Sequence, residues 1–113
     1  MFDFNIMPFP YFTDVEKCNF LQRYVLVHCI LYYELNESVI PDKQYDEAAK
    51  QLYNIMHQLE GFDSERTQYG YVFWDFVPDT GFDLYSKLNE KDRIWLRHLA
   101  FVVLKQYKKE NKK

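Results

Sequence analysis

Glycine is scarce in this chain: three residues in 113, at positions 61, 70 and 81. They stand too far apart to form a Gly-rich phosphate loop. The three histidines and two cysteines fall at no metal-ligand spacing, and there is no nucleophile elbow. Cys18 and Cys29 lie eleven residues apart on one predicted helix. At 1.5 Å rise per residue that is about 16 Å, too far for a disulfide, so reduced thiols and a cytoplasmic setting are expected. No apolar run reaches membrane-spanning length. The start, MFDFNIMPFPYF, has no basic flank and carries two prolines, which is not a signal-peptide pattern. The end of the chain is its net positive part. Residues 105–113 hold five Lys and one Glu; the net charge of −3 therefore leaves −7 on the remainder. An acidic body argues against nucleic-acid binding. The basic tail reads as a solvated helix end whose cations suit the C-terminal dipole.

Aromatic residues are abundant, with ten Tyr and ten Phe. They bring large buried area with few rotatable bonds, and some are expected to face a partner. A chain of 113 residues is one domain, long enough to bury roughly two-thirds of its unfolded surface. Three parts are expected within 1–113: an aromatic arm over 1–12, a helical hairpin over 13–60, and a strap, turn and C-terminal helix over 61–113.

The fold class expected is mainly α. Thr13-Asp14-Val15-Glu16 is a capping box that opens a helix over about 14–35. Phe20, Tyr24, Val27, Leu31 and Leu35 share one face of it. Asn36 to Ile40 break the pattern, and Pro41 suits the first position of a second helix over about 41–59. Tyr45, Ala49, Leu52 and Met56 form its buried stripe, and Gly61 suits its stop. The short link makes the two helices antiparallel neighbours. YVFWDFV, 71–77, is dense in β-formers and reads as an extended strap or short β segment. PDTG marks a turn, and FDLYSKL a short helix. Asn89 and Asp92 cap a last helix over about 90–109. Its run from Ile94 to Leu104 is apolar nearly all round, so it is expected to be the most buried helix.

The corner between the first two helices concentrates the chemistry. His28 and Tyr32 are i, i+4 on one face, with Tyr33 adjacent. Asp42, Tyr45 and Asp46 are i, i+3, i+4 in the first turn of the second helix. Two readings stand side by side on spacing alone. One is an ordinary corner, where Asp suits the helix dipole and Tyr packs with its hydroxyl bonded. The other is a small site of aromatic plates beside two carboxylates. His57 and His98 read as surface or half-buried residues, and Asp63 and Glu65 as loop charges.

The wording of this corner resembles a known family. His28-x-x-x-Tyr32-Tyr33, then Ile40-Pro41-Asp42-x-x-Tyr45-Asp46 and Leu52, is similar to the N-terminal Ia domain of bacterial NAD-dependent DNA ligases. The likeness covers about residues 20–60. In that family the domain closes over the nicotinamide mononucleotide (NMN) half of NAD. The resemblance implies that Tyr32, Tyr33 and Tyr45 hold the nicotinamide end, that Asp42 and Asp46 meet the ribose and the ring charge, and that His28 supports Tyr32. The chain departs from the family at Asn36-Glu37-Ser38 in the turn and at Ala48-Ala49. It also lacks the Lys-x-Asp-Gly motif that becomes adenylated, so by itself it does not ligate DNA.

Three functions follow as expectations. The first is a non-catalytic protein-interaction module on a ligase-Ia-like scaffold, an inhibitor or accessory of a larger enzyme. The aromatic surplus favours it, since interface centres are rich in such residues. The second is a stand-alone binder of NMN or NAD; small proteins of this type suit a phage or mobile element. The third is an NAD-consuming enzyme, with Asp42, Asp46 or Glu34 as its carboxylate. No cofactor is required by the first two, and no membrane or nucleic-acid partner is expected.

Overall fold

In the computed structural model the described residues are 13–58, 67–73 and 84–110. They form a mainly helical fold, as expected. The arm over 1–12, Gly61, Asp63, Glu65 and residues 74–77 of the strap lie outside them.

Helix α1, Asp14–Cys29, opens on the capping box. The Glu16 amide donates to Thr13 Oγ1 (3.2 Å), and the Thr13 amide donates to Glu16 Oε1 (2.9 Å). These bonds favour the ionised form and hold the Glu16 carboxyl below its ordinary pKa. The helix does not stay α to its end. Residues Ile30–Glu34 form one π turn, closed by the Leu35 amide on the Ile30 carbonyl (3.0 Å). Asn36 then takes a left-handed conformation, φ 54°. Asn tolerates this position, which glycine usually fills after a helix. The Glu37 amide returns to the Leu31 carbonyl at 2.7 Å.

The expected face of this helix meets the core, with Val27 and Leu31 inside it and Phe20, Tyr24 and Leu35 packed against it, but burial extends further. Val25 through Leu31 are all buried, whereas Phe20, Tyr24 and Leu35 are only partly so. The helix is apolar on every side here and has neighbours on more than one, so a single face does not describe it.

Helix α2, Asp42–Gln58, packs against α1 through Ala48, Ala49 and Leu52. Tyr45 and Met56 are partly buried at the same core. The two small alanines let the helix backbones approach closely. Pro41 stands just before the helix, its carbonyl accepting from the Gln44 and Tyr45 amides (3.0 and 3.2 Å). It therefore caps α2 rather than starting it.

The strap is corrected over its first residues. Gly70–Phe73 form one helical turn, α3, not a strand. No strand occurs among the described residues, so an extended segment here would leave its backbone groups unpaired. The helical turn satisfies them locally: the Val72 and Phe73 amides both donate to the Tyr69 carbonyl (2.9 and 3.3 Å). A fully buried amide anchors this stretch. Gln22 Nε2 donates to Thr67 Oγ1 (2.9 Å), and Gln22 Oε1 accepts from the Tyr69 amide (3.1 Å).

A 3₁₀ turn, Tyr85–Lys87, lies where a short helix is expected, and Leu84 and Leu88 flanking it are buried. Helix α4, Glu90–Glu110, follows. Asn89 Oδ1 caps it by accepting from the Asp92 amide (2.8 Å). Tyr71 links α3 to this start, donating its hydroxyl to Asp92 Oδ2 (2.7 Å).

Helix α4 is not the most buried helix. Only Leu96 and Ala100 are fully covered, while Ile94, Trp95, Phe101 and Val102 are 63, 49, 48 and 51% exposed. It packs by one edge on α1 and the π turn, which leaves its opposite apolar side outward. Two ion pairs fasten it to the corner: Arg97 Nε to Glu34 Oε1 (3.1 Å) and Lys108 Nζ to Glu37 Oε1 (3.7 Å).

Candidate functional site at the hairpin corner

The corner holds a cleft of about 280 Å³. Its wall comes from His28 and Cys29 at the end of α1, Tyr32 and Tyr33 on the π turn, Glu37 to Ile40 in the link, and Asp42, Tyr45 and Asp46 at the start of α2. All six residues singled out in the sequence therefore meet at one cavity.

The local backbone explains the grouping. The π turn ends α1 at the mouth, where Tyr32 and Tyr33 are 54 and 43% exposed. Their rings meet edge to face, with centroids 4.9 Å apart at 82°. The left-handed Asn36 then reverses the chain, bringing Glu37 back over the cleft and delivering Asp42 from the first turn of α2. Asp42 and Asp46 are both exposed.

The more buried lining residues, His28, Cys29 and Tyr45, carry no charge near pH 7. Tyr45 is half-buried and shares a 3.0 Å hydrogen bond with Cys29 Sγ. Burial, with the field of nearby groups, raises the Tyr45 hydroxyl pKa far above its ordinary value. Burial lifts the Cys29 thiol to about 11, so it stays protonated and is a poor nucleophile. Cys18, also buried, is pushed up to about 12. Burial lowers the His28 pKa to about 4, leaving its imidazole neutral near pH 7. Desolvation raises the Tyr33 hydroxyl, with smaller contributions from Cys29, Tyr32 and Asp42.

His28 makes a ring contact with Tyr24, 4.6 Å between centroids. Tyr24 in turn accepts a hydrogen bond from Gln44 Nε2 (2.7 Å). Glu34 does not line the cleft; its carboxylate turns to Arg97, with Oε2 buried and unpartnered. Sequence reasoning missed Cys29 and Glu37. Cys29 carried a signal, four residues before Tyr33 on the helix. Glu37 carried none, since its place depends on the turn at Asn36.

No described residue of α4 lines this cleft. That helix instead walls a second cavity of about 720 Å³, with Phe20, Tyr24 and Val27 opposite Leu99, Val102, Val103 and Tyr107. The two cavities share His28, Val39 and Ile40.

The corner cleft can stack a flat ring on tyrosine and offer carboxylates to hydroxyls or a cation. Among the described residues, no group of three His, Cys, Asp or Glu is placed to hold a metal ion. Among them, too, no helix is long and apolar enough to cross a membrane. Comparison with known proteins finds no significantly matching family model, curated protein or solved structure. The likeness to the ligase Ia domain thus rests on the corner motif alone.

Proposed function

We propose that the chain is a non-catalytic binding module whose corner cleft holds the nicotinamide end of NMN or NAD. One observation carries this reading: Tyr32, Tyr33, Tyr45, Asp42, Asp46 and His28 all border the same cavity. The oxidised nicotinamide ring is cationic, and a cation over a tyrosine face gains roughly 0.5–2 kcal/mol. Carboxylates accept charge-assisted hydrogen bonds from ribose hydroxyls. The cleft, about 280 Å³, is near the small end of ligand pockets, which suits a mononucleotide end and weak binding. Neither a thiolate nor an imidazolium is available at its inner wall near pH 7, which favours binding over turnover. Calorimetric titration with NMN and NAD tests the reading. Heat at millimolar ligand is expected, lost in Tyr32→Ala and Asp46→Asn with little change in melting temperature. No heat from the wild type would sink it.

A second reading, a protein-interaction module serving a larger enzyme, draws on the outward side of α4. Ile94, Trp95 and Phe101 form an exposed apolar stripe there, of the composition that interface centres favour. Pull-down from a host lysate, compared with a Trp95→Ser, Phe101→Ser double variant, tests it. An empty lane for the wild type counts against it.

A further inference from the structure

Charge is distributed one-sidedly around the corner cleft. Glu37, Asp42 and Asp46 belong to its wall, and among its described lining residues none is Lys or Arg. His28 adds no charge near neutrality. Lys108 neutralises part of Glu37 from α4 (3.7 Å) but is not among the lining residues. The start of α2 contributes about half a positive charge, and Asp42 already occupies that first turn. Among the described lining residues the balance is negative. Such a wall attracts a pyridinium ring and can accept hydrogen bonds from ribose hydroxyls, but it repels a phosphate carrying one to two negative charges.

We propose that the cleft selects a pyridinium nucleoside without phosphate, of the nicotinamide riboside type, over the corresponding mononucleotide. This rests on the nicotinamide-binding reading and departs from what the ligase resemblance implies, in which the phosphorylated form is the ligand. Ring charge is the second determinant. The neutral dihydropyridine form of the same nucleoside loses its attraction to the tyrosine faces and the carboxylates.

Titration calorimetry on the full chain, with nicotinamide riboside and NMN compared at low ionic strength, tests the proposal. The riboside is expected to bind about ten-fold tighter or better, with the ratio shrinking as salt screens the repulsion. Asp42→Asn should narrow the ratio; if that variant does not fold, the salt series on the wild type carries the test. The dihydro riboside should bind at least about ten-fold more weakly than the oxidised form. NMN binding as tightly as the riboside overturns the proposal and leaves nicotinamide recognition standing. A preference for the riboside that ignores salt also overturns it, since charge would not be the cause. Binding of neither ligand overturns both readings.

Discussion

The Tyr45 hydroxyl and the Cys29 sulfur, on facing helices, stand 3.0 Å apart at the inner wall of the corner cleft. The bond fixes the Tyr45 ring while turning its hydroxyl inward. On the proposed nicotinamide-binding reading, the ring face and not the hydroxyl is therefore the part of Tyr45 offered to a ligand. Tyr45→Phe should therefore keep nicotinamide-ligand affinity within about two-fold while costing about 1 kcal/mol of stability, the usual worth of one such bond. Tyr45→Ala should abolish binding. Calorimetry and urea denaturation separate the two effects, and a Phe variant that no longer binds would show that the hydroxyl touches the ligand.

Both thiols should be inert in the folded chain. Cys18 and Cys29 have no solvent exposure, and burial raises their pKa values to about 12 and about 11. A thiol-specific reagent at pH 8 is expected to label neither until denaturant is added, with the labelling midpoint tracking the unfolding midpoint. Fast labelling of either thiol in buffer would mean that the hairpin opens locally.

Much of the hairpin was legible in the sequence because its signals are local. The Thr13–Glu16 capping box forms, and the two corner sets, each spaced within about a turn of its own helix, border one cavity. The rest depends on partners distant in sequence. Burial of Gln22 is decided by Thr67 and Tyr69, more than forty positions on. The apolar run in α4 reads as core, yet among the described residues its partners cover only one side of it. Tyr71 to Phe73 have β-forming composition, but no neighbouring strand exists among the described residues to make extension favourable. The π turn over Ile30–Glu34 has no sequence marker at all.

Gln22 joins α1 to residues 67–69 through both ends of its amide. Gln22→Leu keeps most of the volume but strands the Tyr69 amide and removes the donor to Thr67. A loss of about 2 kcal/mol is expected, the cost of leaving a buried polar group unsatisfied. Urea unfolding of wild type and variant measures it. A neutral or stabilising outcome would mean that water replaces the amide.

His28 makes stability depend on pH. Burial lowers its folded pKa to about 4, below the ordinary value of 6.5. Between those values the unfolded chain binds the proton and the folded chain does not. The contribution of His28 is therefore fully present above about pH 6.5 and is lost as pH falls towards 4. A shift of this size corresponds to roughly 3 kcal/mol at most. His28→Phe should flatten the stability profile between pH 6.5 and 4, read by denaturant midpoints across that range. An unchanged slope would show that the imidazole is solvated.

Glu34 and Arg97 give a paired test of the α4 anchor. One Glu34 oxygen meets Arg97 at 3.1 Å, while the other is buried without a hydrogen-bond partner. Removing only the cation leaves that carboxylate partly desolvated and uncompensated. Arg97→Met should therefore cost more than a typical exposed ion pair, about 1–2 kcal/mol, even though Arg97 itself is half exposed. Adding Glu34→Gln to Arg97→Met should recover most of the loss, because the charge that needs a partner is gone. Thermal denaturation of the two single variants and the double variant gives the coupling directly. Additive losses would mean that water already solvates Glu34 and that α4 is held by Leu96 and Ala100 without the ion pair.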